Sequence, residues 1–183
     1  LRTSRGLGDV YKRQVLKMLY LCKRKEISFS EWVKKINIIP VSISYEYDPL
    51  DVIKARGWDH HEKMSLEEIN ESDLHELATG LFGDKGRVHL HICDPIDYQG
   101  EDIEELSNMI EQKILSNYKI WPTSHIAAKE LTRDGYDFNF FDENQIDSNQ
   151  ETKFLNRFNR IEEHARKECL ETYVRPMVNK KKA

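Results

Sequence analysis

The residues with the most chemistry in them lie in RVHLHICDPI at 87–96, where His89 precedes Asp94 by five positions. A histidine that acts as general base on a hydroxyl, with a carboxylate orienting its ring, needs such a pair in a turn leading into a helix. Here Val88, Leu90 and Ile92 alternate and predict a strand, which puts positions 89 and 94 on opposite faces roughly 16 Å apart. The match is read as accidental, and no catalytic residue is assigned. His89 and His91 share a strand face with Cys93, a spacing able to hold zinc. The plainer reading is a partly exposed polar face with a small buried thiol. His60, His61 and Glu62 read as solvated loop, because adjacent histidines seldom converge on one metal. No Cys-x-x-Cys pair is present, and Gly80, Gly83 and Gly86 precede a strand, so they read as turns and not as a phosphate loop. Neither a metal nor a cofactor is expected.

Ser42 and Ser44 fall inside a strand and not on the sharp elbow a nucleophilic serine requires, so they face a layer or a cleft. Lys54 and Arg56 follow on a short helix, where they meet an anionic ligand or simply solvent. The tail residues Arg175, Lys180, Lys181 and Lys182 suit an anionic lipid surface at roughly 1 kcal/mol each. A frayed terminus is the ordinary alternative.

The elements that position these residues are readable from periodicity. Val15 to Cys22 has helical spacing, and SFSEWVKKI at 28–36 opens a second helix with the capping box Ser28 and Glu31. Ile39, Val41, Ile43, Tyr45 and Tyr47 alternate with Pro40, Ser42, Ser44 and Glu46, giving the clearest strand. Pro40 belongs at its start, since it donates no ladder bond. Asp48 as N-cap and Pro49 at the first position predict a helix closing at Gly57. After the polar loop 58–68 comes a helix carrying Leu74, Leu77 and Leu81. The strand at 87–96 follows, then helices over 102–118 and 121–131. Residues 134–151 hold six acids and no base among Tyr136, Phe138, Phe140 and Phe141, a loop with aromatic anchors. Ser148 and Glu151 predict a cap for a helix carrying Phe154, Leu155, Phe158, Ile161 and Ala165, and a basic tail ends the chain.

Composition bounds the class. With 183 residues, 39% apolar and 33% charged, a substantial core is affordable. No apolar run approaches the roughly 18–20 residues of a membrane span. A net charge of −4 argues against a dedicated nucleic-acid binder. Three scattered cysteines fit a reducing compartment better than a disulfide framework. The opening string LRTSRGLGDVYKRQ lacks apolar periodicity and reads as a non-native scar over 1–14, with the true protein extending upstream of Val15. Without it the chain holds 24 basic and 31 acidic side chains.

INIIPVSISYEYDPLDVIKARG, followed about 30 residues later by DKGRVHLHICDPI, resembles the C-terminal half of the glycerolipid (1-acylglycerol-3-phosphate) acyltransferase family. More narrowly it is similar to a bacterial branch that reads PVSISYEYDP here. The resemblance covers roughly 15–183 and is firmest at 37–57, with weaker support from Lys85, Gly86, Arg87, Val88 and His89 and from YKIWPTSHIAAKEL.

It implies an α/β fold: the C-terminal part of a mixed-sheet acyltransferase domain over 15–98, then a helical extension over 99–183. It also implies an acceptor site bordered by Ile39, Pro40, Val41, Ser42 and Tyr45, with Lys54 and Arg56 beside it. The donor would be acyl-CoA or acyl-carrier protein, and the acceptor a lysophospholipid or glycerol phosphate. The protein would sit peripherally on the cytoplasmic side of a membrane. The family's His-x4-Asp, glycine-arginine and Glu-Gly-Thr-Arg blocks all precede this region, and none is found before Ile36, so the chain is expected to be inactive by itself. Loss of the preceding strands would leave Ile39, Val41, Ile43, Val88, Leu90 and Ile92 with incomplete neighbours and an open edge. A rival reading is a non-enzymatic interaction module using 134–151 and the tail. A weaker one is a metal-dependent hydrolase using His60, His61, His89 and His91.

Overall fold

The computed structural model describes residues 7–22, 26–57, 66–138, 140–159 and 161–182. His60, His61 and Glu62 lie outside the described residues, as do the side chains of Arg56 and Lys182. In chain order the elements are α1 (Leu7–Leu21), α2 (Phe29–Ile36), β1 (Val41–Tyr45), α3 (Asp51–Gly57), α4 (Leu66–Phe82), β2 (Val88–Ile92), α5 (Ile103–Ser116), α6 (Pro122–Arg133), a 3-10 turn at Glu143–Gln145, α7 (Ser148–Asn156) and α8 (Glu163–Lys182).

Helix makes up 60% of the chain, so helices and strands are combined as the sequence predicts. The sheet among the described residues is one antiparallel pair, β1 with β2. Its register follows from two backbone bonds, Glu46 N–H to the Arg87 carbonyl and Cys93 N–H to the Pro40 carbonyl, each 2.9 Å. Val41 therefore stands opposite Ile92, Ile43 opposite Leu90, and Tyr45 opposite Val88. Pro40 precedes β1 and contributes only its carbonyl, as a residue without an N–H must.

The chain divides into two compact units, one from Leu1–Ser42 with Leu90–Tyr118, the other from Ile43–His89 with Lys119–Lys182. In the first, Leu16, Phe29, Trp32, Val33, Ile96, Tyr98 and Leu106 form the core. Tyr20, Phe29 and Trp32 meet at ring separations of 5.2–5.3 Å, the tilted and edge-on contacts aromatic quadrupoles favour. The capping box holds: Ser28 Oγ accepts from Glu31 N–H, and Ser28 N–H donates to Glu31 Oε2. These bonds keep the Glu31 carboxyl below its usual range.

In the second unit, Phe154, Phe158, Leu131, Ile126 and Leu170 are packed with Tyr47, Tyr173 and Val174. Ala127 and Ala128, both fully buried, present little bulk where α6 lies on α8.

Several boundaries differ from the sequence reading. The first helix starts at Leu7, eight residues ahead of Val15. Asp48 does not cap α3: its Oδ1 accepts the Leu50 N–H in a tight local turn, and the helix begins at Asp51. The cap of α7 is Asp147, which accepts from the Asn149 and Gln150 amides, so Ser148 is the first helical residue. The helix expected across 148–165 breaks after Asn156. There the Arg157 and Phe158 amides tighten onto carbonyls three residues back, and Asn159 bonds the Asn156 side chain at 2.8 Å. The basic tail is helical through Lys182, with Pro176 inside α8. No helix among the described residues is long and apolar enough to cross a membrane.

Candidate functional site

The two faces of β1 are inverted relative to ordinary amphipathic strands. Ser42 and Ser44 are buried, whereas Val41, Ile43 and Tyr45 are exposed. The end of α5 accounts for the buried Ser42. A helix leaves its last four carbonyls without intrahelical donors. Ser42 Oγ donates to the Ile114 carbonyl at 2.9 Å, and Asn117 Nδ2 donates to the Lys113 carbonyl at 2.9 Å. The Cys93 thiol lies 3.7 Å from that same Lys113 carbonyl. An apolar residue at 42 would leave one of these carbonyls without its partner. Among the described residues the Ser44 hydroxyl is buried with no hydrogen-bond partner, as is Trp121 Nε1.

The turn from β1 to α3 is clamped by a buried polar cluster. Asp51, 3% exposed, accepts from Tyr173 Oη at 2.8 Å and from Arg157 Nη2 and Nε at 3.1 and 3.3 Å. Tyr173 Oη in turn accepts the Asp48 N–H at 2.8 Å, and the Cys169 thiol donates to the Asp51 carbonyl at 3.3 Å. The Arg157 guanidinium also lies over the Tyr47 ring, 4.9 Å from its centroid. Burial beside the Asp51 carboxylate drives the Tyr173 phenol far above its ordinary value, so it stays a hydrogen-bond donor. Burial pulls Arg157 down, but the attraction of the Asp51 carboxylate outweighs it and leaves Arg157 raised. On the solvent side, Lys54 Nζ closes on Asp48 Oδ2 at 2.6 Å.

A second clamp ties the strands together. Arg87 meets Glu46 through Nη2 and Nε at 2.9 and 3.0 Å, and its backbone N–H also donates to Glu46 Oε2. The Arg87 bonds hold the Glu46 carboxyl below its usual range. Gly86 makes this close approach possible, with φ of +58° and no room for a side chain. A Cβ there would sit 2.6 Å from Tyr47 Cδ2 and 2.9 Å from Glu46 Oε2.

The expected substrate-binding residues are distributed as follows. Pro40 and Ser42 lie on the buried side of the strand, while Ile39, Val41 and Tyr45 lie on the exposed side. One cleft wall cannot be made of all five by β1 alone, because successive side chains alternate. Lys54 is exposed on α3 with its charge engaged by Asp48, and Arg56 shares that helix. His89 and His91 are half-buried on the face that carries the buried Cys93. Among the described residues no group of three metal-ligating side chains converges. Sequence reading missed Asp51, Arg157 and Tyr173. The available signal was an arginine set between Phe154 and Phe158 and a tyrosine at helical spacing from Cys169 and Leu170.

The arrangement can fix a strand, turn and helix rigidly and hold a lysine at the rim of the turn. Comparison of the chain with known protein families, with curated proteins and with solved structures finds no match.

Proposed function

We propose that the chain is the later portion of an acyltransferase that moves an acyl group from an acyl thioester to a (lyso)glycerophosphate acceptor in phospholipid synthesis. The segment from β1 to α3 would form one wall of the acceptor cleft. The observation that carries this reading is the rigid strand, turn and helix built from INIIPVSISYEYDPLDVIKARG, fixed from behind by Asp51, Arg157 and Tyr173. Such a frame suits residues that must stay in register with an acceptor bound elsewhere in a longer protein. Lys54 at the rim would meet the acceptor phosphate after exchanging its Asp48 partner, with Arg56 beside it. Acyl-CoA or acyl-carrier protein would deliver the acyl group, at the cytoplasmic surface of a membrane to which the protein binds peripherally.

Chemistry by this chain alone is not part of the proposal, since a base and its orienting carboxylate must come from an upstream His-x4-Asp block. The test is acyl transfer to 1-acylglycerol-3-phosphate, measured for the 183-residue chain and for a longer reading frame that supplies that block. Turnover is expected only from the longer protein, and Lys54→Ala should raise its KM for the phosphate-bearing acceptor. Turnover by the 183-residue chain, abolished by His89→Ala, would overturn the reading. The rival reading, a non-enzymatic interaction module, is favoured by one observation, the exposed apolar face of the sheet.

A further inference from the structure

Trp121 gathers positive charge on its ring. The Lys119 ammonium lies 4.3 Å from the ring centroid and the Arg87 guanidinium carbon 5.1 Å from it. Among the described residues no carboxylate pairs with Lys119. Arg87 engages Glu46 through Nη2 and Nε and keeps Nη1 outside that pair, on a side chain 56% exposed. The ring these cations share belongs to the residue that opens α6. Trp121 is 3% exposed and stands at the N-cap position without a side-chain cap bond. Its Nε1–H has no acceptor among the described residues. Two cations, an unanswered indole N–H and the positive end of a 12-residue helix therefore meet at one residue.

A third cation, Lys153, lies 5.4 Å from the centroid of Tyr47, the residue after Glu46, and helps to hold the Glu46 carboxyl below its usual range. Three cations are thus set against the single carboxylate of Glu46, in a chain whose net charge is −4. The other charges around the turn balance one another: Arg157 with Asp51, Lys54 with Asp48, and Asp84 with its chain neighbour Lys85.

The geometry points to a binding site for a phosphate monoester at Arg87 and Lys119 beside Trp121, with Lys153 adding attraction from farther away. Three features select that class. The surplus of two positive charges matches the about −1.5 to −2 that a phosphate ester carries near pH 7, whereas one carboxylate matches half of it. A guanidinium and an ammonium are the side chains that recognise phosphate oxygens, the first as a fork and the second as a point charge. The Trp121 ring holds the Lys119 ammonium in place before a ligand arrives, which lowers the ordering cost of binding. The site lies within one compact unit and uses groups other than Lys54, so it does not rest on the acyl-transfer reading.

Titration of the nitrogen-15-labelled 183-residue chain with glycerol-3-phosphate tests it, followed at the Trp121 indole N–H. Phosphatidic acid in phosphatidylcholine vesicles presents the same group on a lipid. The expected result is a saturable shift, weakened roughly fivefold in Lys119→Gln and restored in Lys119→Arg. Circular dichroism should be the same for all three chains, because Lys119 belongs to neither clamp. Lys167→Gln removes the same charge from a lysine paired with Glu171 and should leave binding unaltered. Saturation by glycerol-3-phosphate supports the site with a free ester as ligand. Sedimentation with the vesicles alone, lost in Lys119→Gln, supports it with a lipid headgroup as ligand. No binding in either arm, an equal response to sodium acetate, or equal weakening by Lys119→Gln and Lys167→Gln overturns the inference.

Discussion

Tyr173 and Asp51, separated by 122 positions in the chain, share a 2.8 Å hydrogen bond in which the phenol donates to a carboxylate only 3% exposed. The same oxygen accepts the Asp48 amide, so one hydroxyl ties α8 to both ends of the turn before α3. Tyr173→Phe keeps the ring in the core and deletes only this junction. It should destabilise the chain by about 1–3 kcal/mol, the cost of leaving buried polar groups unpaired. Urea unfolding checks it, and an unchanged midpoint would remove the clamp from the account of this turn.

Ser42 and Ser44 offer a contrast on one strand face. Ser42→Ala strips the Ile114 carbonyl of its donor and should cost about 1 kcal/mol. Ser44→Ala removes a buried hydroxyl that has no hydrogen-bond partner among the described residues, so stability should hold or rise. Ser42→Leu must also fit a larger side chain into a fully buried site, which adds about 1–3 kcal/mol. In a longer, active protein, Ser42→Leu therefore serves poorly as a probe of the acceptor cleft unless activity falls further than stability does. Thermal unfolding of the three variants gives the ranking.

Gly86→Ala should be as damaging as a core mutation despite its small size. The new methyl would meet the Tyr47 ring and the Glu46 carboxylate at under 3 Å, on a backbone with positive φ. A loss of about 1–3 kcal/mol is expected from that crowding. Equal stability of Gly86→Ala and the unaltered chain in guanidinium would show that the turn has another conformation open to it.

His125 gives a pH dependence with a definite sign. Its Nδ1 accepts the Asp142 N–H at 3.0 Å, which only the neutral imidazole can do. Burial lowers its folded value below 6.5, with Asp142 opposing in part. Between that lowered value and 6.5 the unfolded chain binds more protons, so stability rises with pH in this window. The contribution is complete above 6.5 and is lost as pH falls to the folded value. His125→Ala should remove this part of the pH profile, and the protection of the Asp142 amide relative to its intrinsic exchange rate should fall on acidification only in the unaltered chain. Parallel profiles for the two proteins would count against the bond.

The sequence by itself determined what short-range chemistry controls. Ser28 with Glu31 caps α2, the spacing of apolar residues over 102–118 yields α5, Pro40 stands at the head of a strand, and the alternations at 39–47 and 87–96 yield the two strands. These depend on residues a few positions apart, whose bonds and periods are written locally. Only the tertiary structure decided which face of β1 is buried, because alternation separates the serines from the apolar residues without saying which set faces inward, and it is the open carbonyls of α5 that receive Ser42. It likewise decided that the helix after Ser148 stops at Asn156, where Arg157 turns to reach Asp51 across 106 positions. A pattern of types and spacings cannot announce such a partner: the stability of a buried charge rests on what lies within about 3 Å of it, and chain distance carries no information about that.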